Sequence, residues 1–155
     1  AATMNPAALI VDHEATVRGV AVTDEEERVP AVLLEVREEI LPVFVTGDQA
    51  QSIQIAVSPE TFERPLTHDL FVDMLTEFGG AIDRVRIDEL TDGTFYGKLD
   101  VEQYANGERS EITFDVRPSD GIAIAVRVDA PIFVADEVVD AAGQEPDSVR
   151  FEDET

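Results

Sequence analysis

An α+β fold is the class this sequence predicts, and three observations carry it. Runs rich in β-branched residues recur early, at residues 17–22, 29–36 and 40–45, as extended strands favour. Leu66, Leu70, Phe71, Met74, Leu75 and Phe78 instead recur at the intervals of one helical face. The third observation is an internal likeness. Val45, Gln49, Ile53 and Val57 return as Val116, Asp120, Ile124 and Val128, each 71 residues later.

Taken in order, the first three strands are separated by an acidic turn at 24–27 and by Arg37-Glu38-Glu39. The helix from Leu66 follows Arg64-Pro65, with Thr67 as its expected cap, and Gly79-Gly80 ends it. In the strands that follow, Val85 and Ile87 should point inward, with Phe95, Leu99 and Val101 on the partner strand. That facing needs Val85 opposite Leu99 and Ile87 opposite Gly97, which a three-residue loop, Thr91-Asp92-Gly93, would deliver. A two-residue Asn106-Gly107 turn then pairs Val101 with Ile112 and Leu99 with Phe114. The opposite face carries the rows Arg84–Asp100–Thr113, Arg86–Lys98–Asp115 and Asp88–Tyr96–Arg117, four cations against three acids. Such a lattice reads either as exposed ion pairs or as a site for phosphate backbone. Residues 53–57 and 122–126 alternate like strands, although Pro118 locally supports a helix start in the second half. The acidic stretch 144–155 has almost no core residues and is expected to fray, leaving residues 1–143 as a single domain.

Composition bounds the chemistry. An apolar fraction of 44% over 155 residues supports a folded core. The absence of cysteine excludes disulfides, thiolate chemistry and cysteine metal sites. No apolar run is long enough to span a bilayer, and no basic leader with a cleavage pattern precedes the first strand. The expectation is a cytoplasmic protein. Eleven basic residues against 34 acidic ones give a net charge of −23, and Lys98 is the sole lysine. At molar salt the screening length falls to roughly 3 Å, so scattered acids on this scale predict adaptation to a saline medium. The same charge means that nucleic-acid binding would need a local basic site, a metal bridge or stacking contacts. A Walker loop, a dinucleotide fingerprint, Cys/His zinc spacing and a basic amphipathic helix are all absent from the sequence.

Two segments concentrate the remaining signal: Arg64-Pro65-Leu66-Thr67-His68-Asp69-Leu70 and Arg117-Pro118-Ser119-Asp120. Each places an arginine and a proline ahead of a helix start with an early aspartate, and free N–H groups at helix N-termini attract anions. His68 is an acid/base or metal-ligand candidate, and it equally suits packing or hydrogen bonding at a helix start. Asp69 and Asp120 favour the helix dipole without any catalytic task. Arg64 and Arg117 would clamp phosphate or pair with neighbouring acids. Thr67 and Ser119 read as caps. Tyr96 is available for stacking, and Arg86 and Lys98 for backbone contact. Asp69, Asp92 and Asp120 would be the ligands of a Mg²⁺ or Mn²⁺ ion, although no dense Asp-x-Asp pair is present.

These two segments, with Asp92-Gly93-Thr94-Phe95-Tyr96 between them and Ala130-Pro131-Ile132-Phe133-Val134 after them, resemble the bifunctional nuclease domain family over residues 17–143. The resemblance implies an α+β fold and makes both ambiguous segments helices. The chain then divides into internally duplicated βββαα units, a largely antiparallel sheet packed against helices. It also implies cleavage of RNA and DNA. His68 would be the acid/base, Asp69 and Asp120 metal ligands or orienting acids, and Arg64 and Arg117 phosphate contacts. Two positions depart from the family pattern. Gln49 stands where members usually carry Glu before an Ala, and Phe44 where they often carry Trp. Gln49 thus removes an anionic ligand at the position that repeats as Asp120. The alternative is a non-catalytic interaction or scaffold domain of the same fold, assembled as a homo-oligomer.

Overall fold

Side chains branched at Cβ fit a pleated, half-buried surface, and each half of the chain spends them on a three-stranded meander. The computed structural model describes residues 12–23, 29–58, 64–148 and 151–153. In the first half, β1 (Asp12–Thr23), β2 (Pro30–Val36) and β3 (Glu39–Phe44) pair antiparallel in succession. In the second, β4 (Gly80–Thr91), β5 (Thr94–Ala105) and β6 (Glu108–Val116) do the same. The acidic turn expected at 24–27 lies outside the described residues.

Each meander is followed by an eleven-residue helix, α1 (Gly47–Val57) and α3 (Pro118–Val128). The strand-like alternation in both therefore yields to helix, and the two helices begin and end at the 71-residue offset. Thr46 caps α1 reciprocally: its hydroxyl accepts from the Gln49 N–H, and the Gln49 side chain accepts from the Thr46 N–H. Next come α2 (Thr67–Glu77) in the first half and α4 (Asp136–Ala142) in the second. A short strand, β7 (Ile132–Ala135), stands between α3 and α4 and lies at the middle of the sheet, whose order is β3-β2-β1-β7-β4-β5-β6. It pairs antiparallel with β1 and parallel with β4, the one parallel contact among the described residues.

The inward register is the expected one, but a different turn delivers it. Val85 faces Leu99, Ile87 faces Gly97, Val101 faces Ile112 and Leu99 faces Phe114. Asp92 and Gly93, both at positive φ (52° and 77°), form a two-residue turn closed by Thr91 opposite Thr94. That turn matches the twist of the flanking strands better than a longer loop. The frame is restored by an irregularity between Ile87 and Glu89 that leaves Asp88 out of the ladder. Tyr96 consequently faces Glu89, and Arg117 leaves the sheet to become the N-cap of α3. The expected row Asp88–Tyr96–Arg117 does not form.

The helices bury one face of the sheet. Val32, Leu34, Leu41, Val85, Ile87, Leu99 and Val134 from strands meet Ile53, Ile122 and Val138 from helices, all at most 1% exposed. Beyond α4 the chain makes two backbone contacts with the first half. Gln144 exchanges two 2.8 Å backbone hydrogen bonds with Ile40, and β8 (Phe151–Asp153) pairs with β1. Among the described residues no helix is long and apolar enough to cross a membrane.

Candidate active site

Three helices meet where the two halves touch, and each supplies one member of a hydrogen-bonded chain. Ser52 comes from the buried side of α1, His68 from the first turn of α2 and Asp120 from the first turn of α3. His68 Nδ1 lies 2.7 Å from Ser52 Oγ, and its Nε2 lies 2.9 Å from Asp120 Oδ1. The other carboxylate oxygen of Asp120 accepts from Arg117 Nε at 2.8 Å. Thr67 is not the cap of α2, because that position falls to Leu66. The Leu66 N–H is held instead by Asp69 Oδ2 at 2.8 Å, which fixes the first turn and with it the direction of His68. Ser119 is likewise a buried residue inside α3 and not its cap.

A buried arginine ties the same helices from behind. The Arg127 side chain is 6% exposed; its Nε donates to Asp69 Oδ1 at 2.7 Å. Its two terminal nitrogens donate to the Ala123 carbonyl and to both the carbonyl and hydroxyl oxygens of Ser52. A guanidinium only donates and an ionised carboxylate only accepts. Ser52 Oγ therefore accepts a hydrogen bond from Arg127 and has its own hydrogen to donate to His68 Nδ1, in the tautomer whose Nε2–H donates to Asp120. Ser52 and His68 thus join Arg127 to Asp120 in one continuous chain of hydrogen bonds.

Burial pushes the Asp120 carboxyl up, but the bonds from Arg117 and His68 outweigh it and hold it below the ordinary aspartate value. Asp69 behaves alike: desolvation is offset by the Leu66 N–H and by Arg127, leaving a net downward shift. The Asp120 bond holds Arg117 further up, and most of that side chain, 68%, faces solvent.

His68, Asp120 and Arg117 open onto a groove of about 450 Å³ together with Asp48, Gln49 and Ser52. A second, mainly apolar groove, walled by Phe71 and Phe114, begins at the same His68, Arg117 and Asp120. Other candidates lie elsewhere. Asp69 faces Arg127 on the far flank of α2, and Arg64 is exposed and does not line the groove. Arg86, Lys98 and Tyr96 project from the opposite face of the sheet, away from His68. There Asp100 accepts two bonds from Arg86, one from Arg84 and one from Thr113, and Lys98 pairs with Asp115. Burial acts against Asp100, yet these donors hold it far below the usual carboxylate range. That face is an ion-pair lattice. The other histidine, His13, joins a separate cluster with Asp136, which Arg37 also binds.

Of the three expected Mg²⁺ or Mn²⁺ ligands only Asp120 lines the groove, and both of its oxygens accept from His68 and Arg117. Asp69 is held by Leu66 and Arg127, and Asp92 sits in the β4–β5 turn, so the three do not converge as one ligand set. Among the described residues, one group of three acids could share an ion, Asp83, Glu102 and Glu111, on the exposed sheet away from His68. Ser52 and Arg127 are absent from the candidates drawn from the sequence. The one available signal was Arg127 itself, the lone cation of α3, set in its last turn after the apolar run 122–126.

Residues 31–147 match the model of the bifunctional nuclease domain. An uncharacterized protein of Mycobacterium tuberculosis strain H37Rv is 34% identical over 131 residues, covering 84% of this chain and 76% of its own length. A rice protein (Oryza sativa subsp. japonica) named bifunctional nuclease 2 is 31% identical over 108 residues, 68% of this chain and 33% of that one. Bifunctional nuclease 1 of Arabidopsis thaliana is 27% identical over the same length and shares. The chain thus spans about a third of these plant relatives. With three quarters of its residues inside the family match and the duplicated meander fold in place, this chain belongs to the bifunctional nuclease domain family.

Proposed function

We propose that the protein hydrolyses phosphodiester bonds of RNA or DNA in the groove between α1, α2 and α3. The observation that supports this most is His68 suspended between a hydroxyl and a carboxylate, with a largely exposed guanidinium at the rim. Arg117 uses its Nε on Asp120, which leaves its outward edge for a phosphate oxygen. Asp120 fixes the orientation of His68 and stabilises the imidazolium that forms when Nδ1 accepts a proton. A water molecule at Ser52 Oγ loses its proton through that hydroxyl to His68 Nδ1, the water oxygen bonds to phosphorus as the P–O bond to the departing nucleoside oxygen breaks, and that oxygen is reprotonated by the imidazolium. Asp69 and Arg127 are positioning residues. The names of the plant relatives support the substrate class.

The test is cleavage of single-stranded RNA and DNA at high KCl, with and without Mg²⁺ or Mn²⁺. His68→Ala, Asp120→Asn and Arg117→Ala are compared with wild type. General acid–base catalysis contributes about 10²–10⁴-fold, so His68→Ala should lose at least 100-fold with its fold intact. Cleavage by none of the proteins under any condition, or equal cleavage by wild type and His68→Ala, rejects the proposal.

A further inference from the structure

Helix α2 has no buried residue, although it carries His68. Its inner side rests Val72 and Leu75 against the core. One flank reaches α3 through Asp69 and Arg127, and the other flank meets β6, where Phe71 and Phe114 wall a common groove. At 3.6 residues per turn, Met74 and Phe78 continue the Phe71 flank, with Leu70 just beyond. These four are 39–74% exposed, and Ile112 and Phe114 on β6 are 38% and 46% exposed. An apolar strip of this kind on a chain of charge −23 marks an interaction surface.

The strand beside it is open along its outer edge. β6 closes one end of the sheet and runs nine residues without proline or a register shift; its charges, Glu108, Arg109, Glu111 and Asp115, discourage unrelated strands and restrict pairing to a partner of matching charge. Among the described residues no strand pairs with its outer edge.

We infer that this face is a symmetric dimer interface, in which β6 pairs antiparallel with β6 of a second copy around Ile112 and the two α2 strips pack across the joint. Charge complementarity favours a second copy as the occupant, and strand length with charge sets the register. Ile112 is the midpoint of β6, so centring there pairs all nine residues, whereas centring on Ser110 or Phe114 pairs only 108–112 or 112–116. A two-fold that keeps the apolar face continuous must centre on a residue. Centring on Glu111 sets that acid opposite itself, and centring on Thr113 sets Glu111 opposite Asp115. Centring on Ile112 instead places Arg109 opposite Asp115 of the second copy, twice, and Ser110 opposite Phe114, with no like charges face to face. The second copy would also wall the apolar groove that starts at His68. This inference stands independently of the proposed chemistry.

Sedimentation in molar KCl, where repulsion is screened, should give twice the chain mass. Ile112→Lys sets two ammonium groups together on the axis and should yield a monomer with an unchanged circular dichroism spectrum. The chain has no cysteine, so Ile112→Cys reports the register. Directly opposed antiparallel residues lie about 4.5–5.5 Å apart between Cα atoms, within disulfide reach. Mild oxidation should therefore crosslink Ile112→Cys. Ser110→Cys, roughly 13 Å from its symmetry mate, should not react. A monomeric wild type, an Ile112→Lys variant that remains dimeric, or equal crosslinking of both cysteine variants overturns the inference.

Discussion

Arg127→Met isolates what the buried guanidinium does. The replacement keeps the length and apolar stem of the side chain while removing the donors to Asp69, Ala123 and Ser52. Removing one partner of a buried ion pair costs about 3–5 kcal/mol. The Asp69 side chain keeps 38% exposure and its bond from Leu66, which brings the expected loss to roughly 2–3 kcal/mol. A chain of this size loses about 2–4 °C per kcal/mol, so thermal unfolding should move down by about 5–10 °C at fixed KCl.

Two controls sharpen the result. In a double-mutant cycle with Asp69→Asn, a coupling of about 1–2 kcal/mol is expected, since the groups touch. The second control is pH. Asp69 is depressed in the folded state, so its contribution is complete above the unfolded aspartate value of about 4 and fades as pH falls through the folded value. The gap between wild type and Arg127→Met should narrow below about pH 4, leaving the part due to the Ala123 and Ser52 bonds. A shift under about 2 °C, additive single mutants, or a gap unchanged in acid would refute the reasoning.

Three further outcomes follow from other parts of the molecule. Asp100→Asn leaves Arg84 and Arg86 side by side without their anion and should cost about 2–4 kcal/mol by denaturant melts; a loss below 1 kcal/mol would make that lattice a surface ornament. Glu38→Gly should raise the melting temperature, because Glu38 is held at φ 63°, where a side chain costs about 1–2 kcal/mol; a fall would mean that the side chain contributes more than the strain. The melting temperature should climb steadily with KCl for a chain of charge −23, and a flat profile would remove the idea of a protein suited to brine.

Local chemistry made the meanders readable. Asn106-Gly107 fixed one hairpin, and the alternation of Val85, Ile87, Leu99 and Val101 fixed the facing of three strands. The irregularity beside Asp88 was hidden because a loop one residue longer produces the same facing, and only coordinates distinguish the two. In Arg64-Pro65-Leu66-Thr67 the cap was misassigned to Thr67, since a hydroxyl is the usual acceptor, whereas Asp69 reaches back to Leu66 in its place. His68, Arg117 and Asp120 were visible as helix-start residues, and the structure brings them to one groove. Ser52 and Arg127 lie 75 positions apart in the chain, and nothing in the neighbourhood of either announces the other. Helical spacing correctly predicted α2 but not that Leu70, Met74 and Phe78 would stay uncovered, because periodicity identifies an apolar stripe without saying what meets it.

The placement of β7 constrains how the chain must be made. Each meander is built from neighbours in sequence and can form while synthesis is under way. The seam joining them cannot, since its middle thread is Ile132–Ala135 and its outer partner begins at Asp12. Until the ribosome has delivered that late tetrapeptide, the inner margins of both half-sheets stand open to unrelated nascent chains. Closure of that seam spans well over a hundred residues, the kind of non-local pairing that forms more slowly than the hairpins on either side.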